Sequence, residues 1–168
     1  MDFKKLEESL NLEPHPEGGR FRQTVRAAMD VEIVNDPRYD GTRKSCTCIY
    51  YLLQENGRIS WHRHKAQIIF FWHNGATAKF HYINPKGEYS TTLLGDHMRE
   101  PQANYQVAVT PGDWYAIEST DKNKHVLWSA TVAPGFEYKD WEPAVLEKLL
   151  AEFPQHTELI KQFAENSH

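Results

Sequence analysis

The apolar positions change period twice along the chain. Near the start, Phe3, Leu6 and Leu10 recur at helical spacing and predict a short helix with Asp2 as its cap, ending before Pro14. The next stretch carries Pro14, Pro16, Gly18 and Gly19 and is not helical, because proline fixes φ and glycine admits positive φ. From Arg20 to about Thr131 the text is β-like. Short runs rich in β-branched and aromatic residues predict strands at 20–27, 44–53, 59–63, 67–72, 77–84, 89–94, 105–109, 114–118 and 126–132. Turn signals separate them: Asn35-Asp36-Pro37, Asn56-Gly57, Asn74-Gly75, Asn84-Pro85-Lys86-Gly87 and Pro111-Gly112. Gly57 and Gly75 read as hairpin turns. After Pro134-Gly135-Phe136 the helical period returns. Val145, Leu146, Leu149, Leu150 and Phe153 form one stripe, and Leu159, Ile160 and Phe163 follow Pro154. This predicts a helix, or a broken one, packed outside a β core.

About nine short strands at this spacing predict a mainly β chain, an antiparallel sandwich or barrel. A βαβ fold is disfavoured because no helical segment separates the strands. No internal repeat or linker divides the chain. One domain is therefore expected over residues 1–168, with the β core at about 20–132 and a C-terminal helical segment at about 143–165.

Composition narrows the function classes. The 168 residues are 40% hydrophobic and 25% charged, with a net charge of −4. No basic face follows from those totals, which argues against nucleic-acid and anionic-membrane partners. The unbroken apolar run Ile68–Trp72 is far short of the ~20 residues a membrane helix needs. The first residues lack the apolar stretch of a signal peptide, so the expected location is the cytoplasm. Cys46 and Cys48 stand two apart and read as free buried thiols, too splayed for an unstrained disulfide. Five Trp, eight Tyr, eight Phe and nine His are the less ordinary feature.

Candidate chemistry concentrates at Ser60-Trp61-His62-Arg63-His64. On a strand, His62 and His64 share one face, with Trp61 and Arg63 on the other. Two such imidazoles suit either metal ligation, if further ligands converge, or proton transfer. Arg20 and Arg22 share a face of an early strand, with Arg43 as a third cation, and guanidinium groups at an apolar mouth would bind carboxylate or phosphate. The bland alternative is scattered surface arginines, above all Arg43. Glu17 is expected either to pair Arg20 or Arg22 in a rigid turn or to line a pocket. Asp140 reads as the cap of the following helix. Tyr50, Trp61, Trp72, Trp114, Tyr115 and Phe136 lie on or beside predicted strands, as core or as stacking surfaces for a planar ligand. No G-x-S-x-G, P-loop, GxGxxG or paired CxxC supports a hydrolase, nucleotidase or Rossmann reading.

Gly57, His62-x-His64 and Gly75 together resemble the first motif of the cupin superfamily, and Thr110-Pro111-Gly112-Asp113-Trp114-Tyr115 falls where its second motif would be. Pro14-His15-Pro16-Glu17-Gly18-Gly19, Ile49-Tyr50-Tyr51-Leu52-Leu53 and Val132-Ala133-Pro134-Gly135-Phe136, with Asp140, resemble a small branch of that superfamily marked by PHPEGG and VAPGF. The resemblance runs from about Leu12 to Trp141. It implies a double-stranded β-helix, or jelly roll, assembled as a homodimer with a small-molecule pocket in its mouth. Relatives across the superfamily include sugar-nucleotide epimerases, metal dioxygenases, isomerases and plain binding proteins, and the branch has no settled reaction.

Metal-binding cupins supply two histidines and a glutamate from the first motif and a third histidine from the second. His62 and His64 match the first two positions, but Ile68 and Tyr115 stand at the others. The expectation is therefore no bound metal and no cofactor. Three readings follow. One is a metal-independent isomerase or epimerase of a carbohydrate-like or small polar compound, with His62 as base and Tyr50 or Tyr115 as acid. Another is a non-catalytic ligand-binding cupin. The third is a metal-dependent cupin with an irregular histidine site. Under the first two, Glu17, Arg22, Trp61, His64, Trp72, Trp114 and Phe136 are the expected ligand contacts.

Overall fold

The structure, a computed structural model, describes residues 3–16 and 18–164. Helix α1 (Phe3–Leu10) is followed by β1 (Glu13–Pro14), β2 (Arg20–Arg26), β3 (Asp30–Glu32), β4 (Thr42–Lys44), β5 (Thr47–Leu53), β6 (Arg58–His64) and β7 (Gln67–Gly75). Then come β8 (Ala78–Ile83), β9 (Tyr89–Leu94), β10 (Gln106–Val109), β11 (Trp114–Ser119), β12 (Val126–Ala133) and β13 (Trp141–Pro143). Helices α2 (Leu146–Glu152) and α3 (Thr157–Gln162) close the described chain. One sheet has the order β1-β2-β5-β12-β7-β10, the other β13-β6-β11-β8-β9, and β3 pairs only with β4.

Every expected strand region is occupied by a strand. The 44–53 run divides, with Ser45 and Cys46 between β4 and β5. Strands β1, β3 and β13 were not expected. They are two or three residues long, and β1 and β13 each contain a proline, so no alternating pattern announces them.

The turns at Gly57 and Gly75 are not hairpins. Strand β5 lies in the first sheet and β6 in the second; β7 lies in the first and β8 in the second. Both turns carry the chain across the sandwich. A turn signal reports local backbone geometry, whereas the pairing partner is chosen by distant strands. Strand β5 pairs with β2 and β12, and β6 with β11 and β13. Gly75 shows why glycine is needed at such a crossing. Its φ is 98°, and an added Cβ would lie 2.1 Å from the His125 carbonyl oxygen. A tight hairpin joins β8 and β9, turned at Asn84, whose Oδ1 accepts from the Lys86 and Glu88 amides.

The inner faces of both sheets supply the main core, with Phe80, Leu94, Val126 and Trp128 almost fully buried. The outer faces are covered separately. Helices α2 and α3 place Leu149, Phe153, Ile160 and Phe163 over Trp61, Ile83, Trp114 and Ala116. Helix α1, with Leu6 and the following Leu12, covers Leu52 and Leu127. Asp2 lies outside the described residues. Val145 and Leu146 fall off the buried C-terminal stripe at 49% and 38% exposure.

One ion pair fixes the segment between β12 and β13. The Arg43 side chain is fully buried, and that of Asp140 is 5% exposed. Arg43 Nε donates to Asp140 Oδ2 at 2.6 Å and Nη2 to Oδ1 at 2.8 Å. Arg43 also donates to the carbonyls of Asp40 and Thr42 and to Asp40 Oδ1. Arg43 is thus no surface cation. Asp140 is no helix cap either, since Val145 precedes α2. Burial raises the Asp140 carboxyl, but the Arg43 hydrogen bonds and charge, helped by Lys65, outweigh it and hold it below the usual carboxylate value. Removing one partner strands a buried charge. Arg43→Met is expected to cost about 3–5 kcal/mol, read as a lowered Tm, whereas Arg43→Met with Asp140→Leu should recover most of it. Because the folded-state value of Asp140 is depressed, its contribution should be complete above about pH 4 and fade as pH falls further.

Candidate functional site

Strand alternation around a bulge builds the site. Strand β11 pairs Tyr115 with His62, but its next inward residue, Ile117, pairs with Ile59, so the register shifts between them. The extra residue in β6 resets the side-chain parity, and Ile59, His62 and His64 all line one cavity. Trp61 turns outward under the C-terminal helices. Arg63 lies with its guanidinium carbon 4.4 Å from the Trp114 ring centroid.

The cavity measures about 100 Å³. At its polar side stand His62, His64, Tyr115 and His15. The His62 ring lies 4.1 Å from Tyr115 and 5.3 Å from His64, centroid to centroid. His64 is 5.7 Å from Phe136. Most of the remaining wall is apolar, from Ile49, Ile68, Phe70 and Val132 among others. Trp128 stacks on Tyr51 at 5.0 Å with planes 3° apart.

His62 is oriented by its own strand. Its Nδ1 lies 2.8 Å from the Ser60 carbonyl oxygen, which can only accept. Nδ1 therefore carries the hydrogen, and in the neutral ring Nε2 holds the lone pair. Desolvation, with the charges of His62 and His15 adding to it, pushes the His64 imidazole well below its ordinary value, so His64 is neutral at physiological pH.

The Pro14–Gly19 turn forms part of the mouth. His15 and Pro16 line the cavity. The Tyr51 hydroxyl donates to the Gly18 carbonyl, and His15 packs edge-on against Phe21 at 4.7 Å and Tyr51 at 5.2 Å. Gly19 has φ 71°, and a Cβ there would meet the Leu52 carbonyl at 2.8 Å. Glu17 lies outside the described residues. Arg20, expected as its partner, pairs with Glu7 at 3.2 Å. Across the mouth, Phe136, Tyr138 and Trp141 come from the segment pinned by Arg43 and Asp140.

Four expected contacts thus meet at the cavity: His62, His64, Tyr115 and Phe136. Five others do not. Tyr50 is on the outer face of β5, where it packs with Leu52 beneath α1 and beside Arg22. Tyr51 is the inward tyrosine, so the pairing of Tyr50 with His62 as acid and base does not form. Arg22 follows the same outward parity, opposite Tyr50 in the ladder. Trp61 and Trp114 belong to the core under α2 and α3. Trp72 packs at the edge of the main core against Tyr105 and donates Nε1 to the Ala76 carbonyl. The sequence reading missed Tyr51, Trp128 and Trp141 as cavity residues, and reached His15 only through the pocket-lining alternative for the Pro14–Gly19 turn. The PHPEGG motif flags His15, but parity along β5 is hidden because both of its faces are apolar.

The positions that hold metal in other cupins do converge here, since His62, His64, Ile68 and Tyr115 all line the cavity. Ile68 has no donor atom, however, and among the described residues no three His, Cys, Asp or Glu side chains gather as a metal would require. The donor set does not fit a cupin metal centre.

A pH dependence follows from the His64 environment. A buried imidazole held neutral binds fewer protons than its unfolded counterpart below about pH 6.5. Folding stability should therefore fall as pH drops from about 6.5 towards 5, a slope shared with His73, His81 and His125, whose values desolvation also lowers. His64→Gln should flatten part of that slope in thermal melts taken across the range. An unchanged slope would contradict the burial argument.

The comparisons with known proteins agree with the fold. The model of the family described as Cupin superfamily (DUF985) matches residues 4–144. No curated protein matches. Among solved structures, a Shewanella oneidensis protein is 27% identical with a TM-score of 0.84, covering 98% of both chains. A hypothetical protein from Leishmania major is 26% identical with a TM-score of 0.86, covering 98% of this chain and 99% of its own. Oxalate decarboxylase from Lactobacillus farciminis, 12% identical with a TM-score of 0.55 over 92% of this chain and 42% of that one, shares the fold alone. Among the described residues no helix is long and apolar enough to cross a membrane. With a jelly-roll sandwich, an inward-facing His62-x-His64 pair and a family match over most of its length, the chain belongs to the DUF985 family of the cupin superfamily.

Proposed function

We propose that the protein binds a small, largely apolar molecule bearing one or two hydrogen-bonding groups, held against His62 and Tyr115 in the jelly-roll cavity. The observation that carries this reading is the convergence of His62, His64 and Tyr115 at one wall of a largely apolar space of about 100 Å³. A carbohydrate-like ligand fits that wall less well. Each sugar hydroxyl buried without a partner costs about 1–3 kcal/mol, and the apolar side offers few partners.

Catalysis at this site is metal-independent isomerisation or epimerisation in our reading. His62 Nε2 takes a proton from the carbon beside a ligand carbonyl while the Tyr115 phenol donates its proton to the developing oxyanion; the phenol then regains its proton from the enol as the imidazolium, after exchange with solvent, returns a proton to the opposite face or to the neighbouring carbon. Their adjacency across the β6–β11 ladder favours a concerted pair. A non-catalytic binder would use the same contacts without turnover. Proton exchange with solvent deuterium at the bound ligand separates the two.

The test begins with a thermal-shift screen of small carboxylic acids, ketones, phenols and sugars. A ligand at about 100 times its Kd should add ~2.7 kcal/mol. His62→Ala should then weaken binding of the best hit by at least about tenfold, roughly 1.4 kcal/mol, with the fold retained. His73→Ala, whose exposed side chain is outside the cavity, should leave it unchanged. A His62→Ala protein with parental affinity would defeat the proposal.

A homodimer is part of this reading. The outer face of the six-stranded sheet carries half-exposed Cys48, Tyr50, Ile69 and Phe71, with Val25 44% exposed. A second subunit covering that face would remove apolar surface from water. Light scattering at micromolar concentration should give twice the chain mass, and a monomer would rule the dimer out.

A further inference from the structure

Thr47 also lines the cavity, and the chemistry assigned to His62 and Tyr115 leaves its side chain unused. It is 1% exposed. It comes from β5 in the six-stranded sheet, whereas His62 and Tyr115 come from β6 and β11 in the five-stranded sheet. The cavity lies between the two. A hydroxyl both accepts and donates. Thr47 Oγ1 accepts from the Phe136 amide at 2.9 Å, but among the described residues it donates to none. A buried donor without a partner costs free energy. The open space beside this one is the cavity, where a ligand oxygen would supply the missing acceptor.

The hydroxyl is also held in place. Gly135 packs so closely on Thr47 that an added Cβ would lie 3.1 Å from its Cγ2. The Phe136 ring, whose amide the hydroxyl accepts, stands 5.7 Å from His64. Threonine has restricted freedom at χ1, so the oxygen stays where that amide fixes it.

We propose that Thr47 determines specificity in the cavity, its hydroxyl donating to a second oxygen of a ligand whose carbonyl is held at His62 and Tyr115. This rests on the reading of the cavity as a ligand pocket and names its substrate class: a short ketone bearing a further oxygen acceptor. Facing sheets stand about 10 Å apart, and the two anchors reach in from opposite sides. The two ligand oxygens are therefore separated by several bonds. An apolar cavity of about 150 Å³ takes up benzene, so a space of about 100 Å³ limits the ligand to a similarly small body.

Three methoxyketones, with one, two or three methylenes between carbonyl and ether oxygen, test the proposal. Each is titrated against the methyl ketone in which a methylene replaces the ether oxygen. In the parent protein at least one methoxyketone should bind tighter than its all-carbon partner. Thr47→Val should move that preference about tenfold towards the all-carbon ketone, roughly 1.4 kcal/mol, and Thr47→Ser should retain it. The parent comparison needs no variant, so it decides the matter even if Thr47→Val misfolds. Tighter binding of the all-carbon ketone at every spacing in the parent would overturn the second anchor while leaving the cavity as a pocket. So would a Thr47→Val protein that weakens both members of a pair equally, since that is a loss of Phe136 positioning alone. If no ketone of either series binds the parent, the pocket reading itself fails, and this proposal with it.

Discussion

The bidentate pair between Arg43 and Asp140 holds one side of the candidate site in place. Residues 134–143 have little strand of their own: irregular chain over 134–137, one turn of 3-10 helix at Tyr138–Asp140, and the short β13. Such a segment has few backbone hydrogen bonds to order it. The buried carboxylate ties it to β4, and the Lys65 amide, donating to the Asp140 carbonyl, ties it to the β6–β7 turn. With those anchors set, β13 pairs along β6 opposite His62 and His64, and Phe136, Tyr138 and Trp141 take their positions at the mouth. Isolating two charges from water is costly, and only the full set of hydrogen bonds around Arg43 makes the arrangement tolerable.

The cavity itself is a consequence of pleat and bulge. Two sheets packed face to face normally interdigitate their side chains until little space remains. Here the bulge in β6 and the rings of His62, His64 and Tyr115 meet Ile and Val side chains from the facing sheet without filling the interior. His64 is poorly hydrated at this end, and it loses its proton readily for that reason. Neutral imidazole and phenol groups in an apolar enclosure can accept and donate hydrogen bonds without carrying an unpaired buried charge. That is a chemistry suited to gripping one polar group of a mostly apolar molecule.

Parity accounts for most of the difference between the expected and observed sites. On β6 the face shared by His62 and His64 was legible from alternation, but the bulge that also turns Ile59 inward was not. On β5 the inward Thr47, Ile49, Tyr51 and Leu53 alternate with outward Cys48, Tyr50 and Leu52, and no polar contrast distinguishes the two faces. The outer face is apolar because α1 covers part of it. The same ambiguity misplaced Trp114, which the C-terminal helices bury. Arg43 was illegible for another reason. Its partner stands 97 positions away, and nothing local to either residue indicates the other.

What the sequence by itself determined is therefore local: the strand regions, the terminal helical stripes, the positive φ at Gly18 and Gly19, and the face shared by His62 and His64. Those follow from side-chain alternation and backbone sterics over a few residues. The family motifs extended that to the jelly roll. Tertiary structure alone decided which sheet each strand joins, which face of β5 looks inward, and which arginine is buried with a carboxylate. It also decided that Thr47, in one sheet, and His62, in the other, line a single cavity. Each of those outcomes depends on contacts between residues far apart in the chain, where the stabilisation comes from burial and pairing across the sandwich and leaves no trace in neighbouring residues.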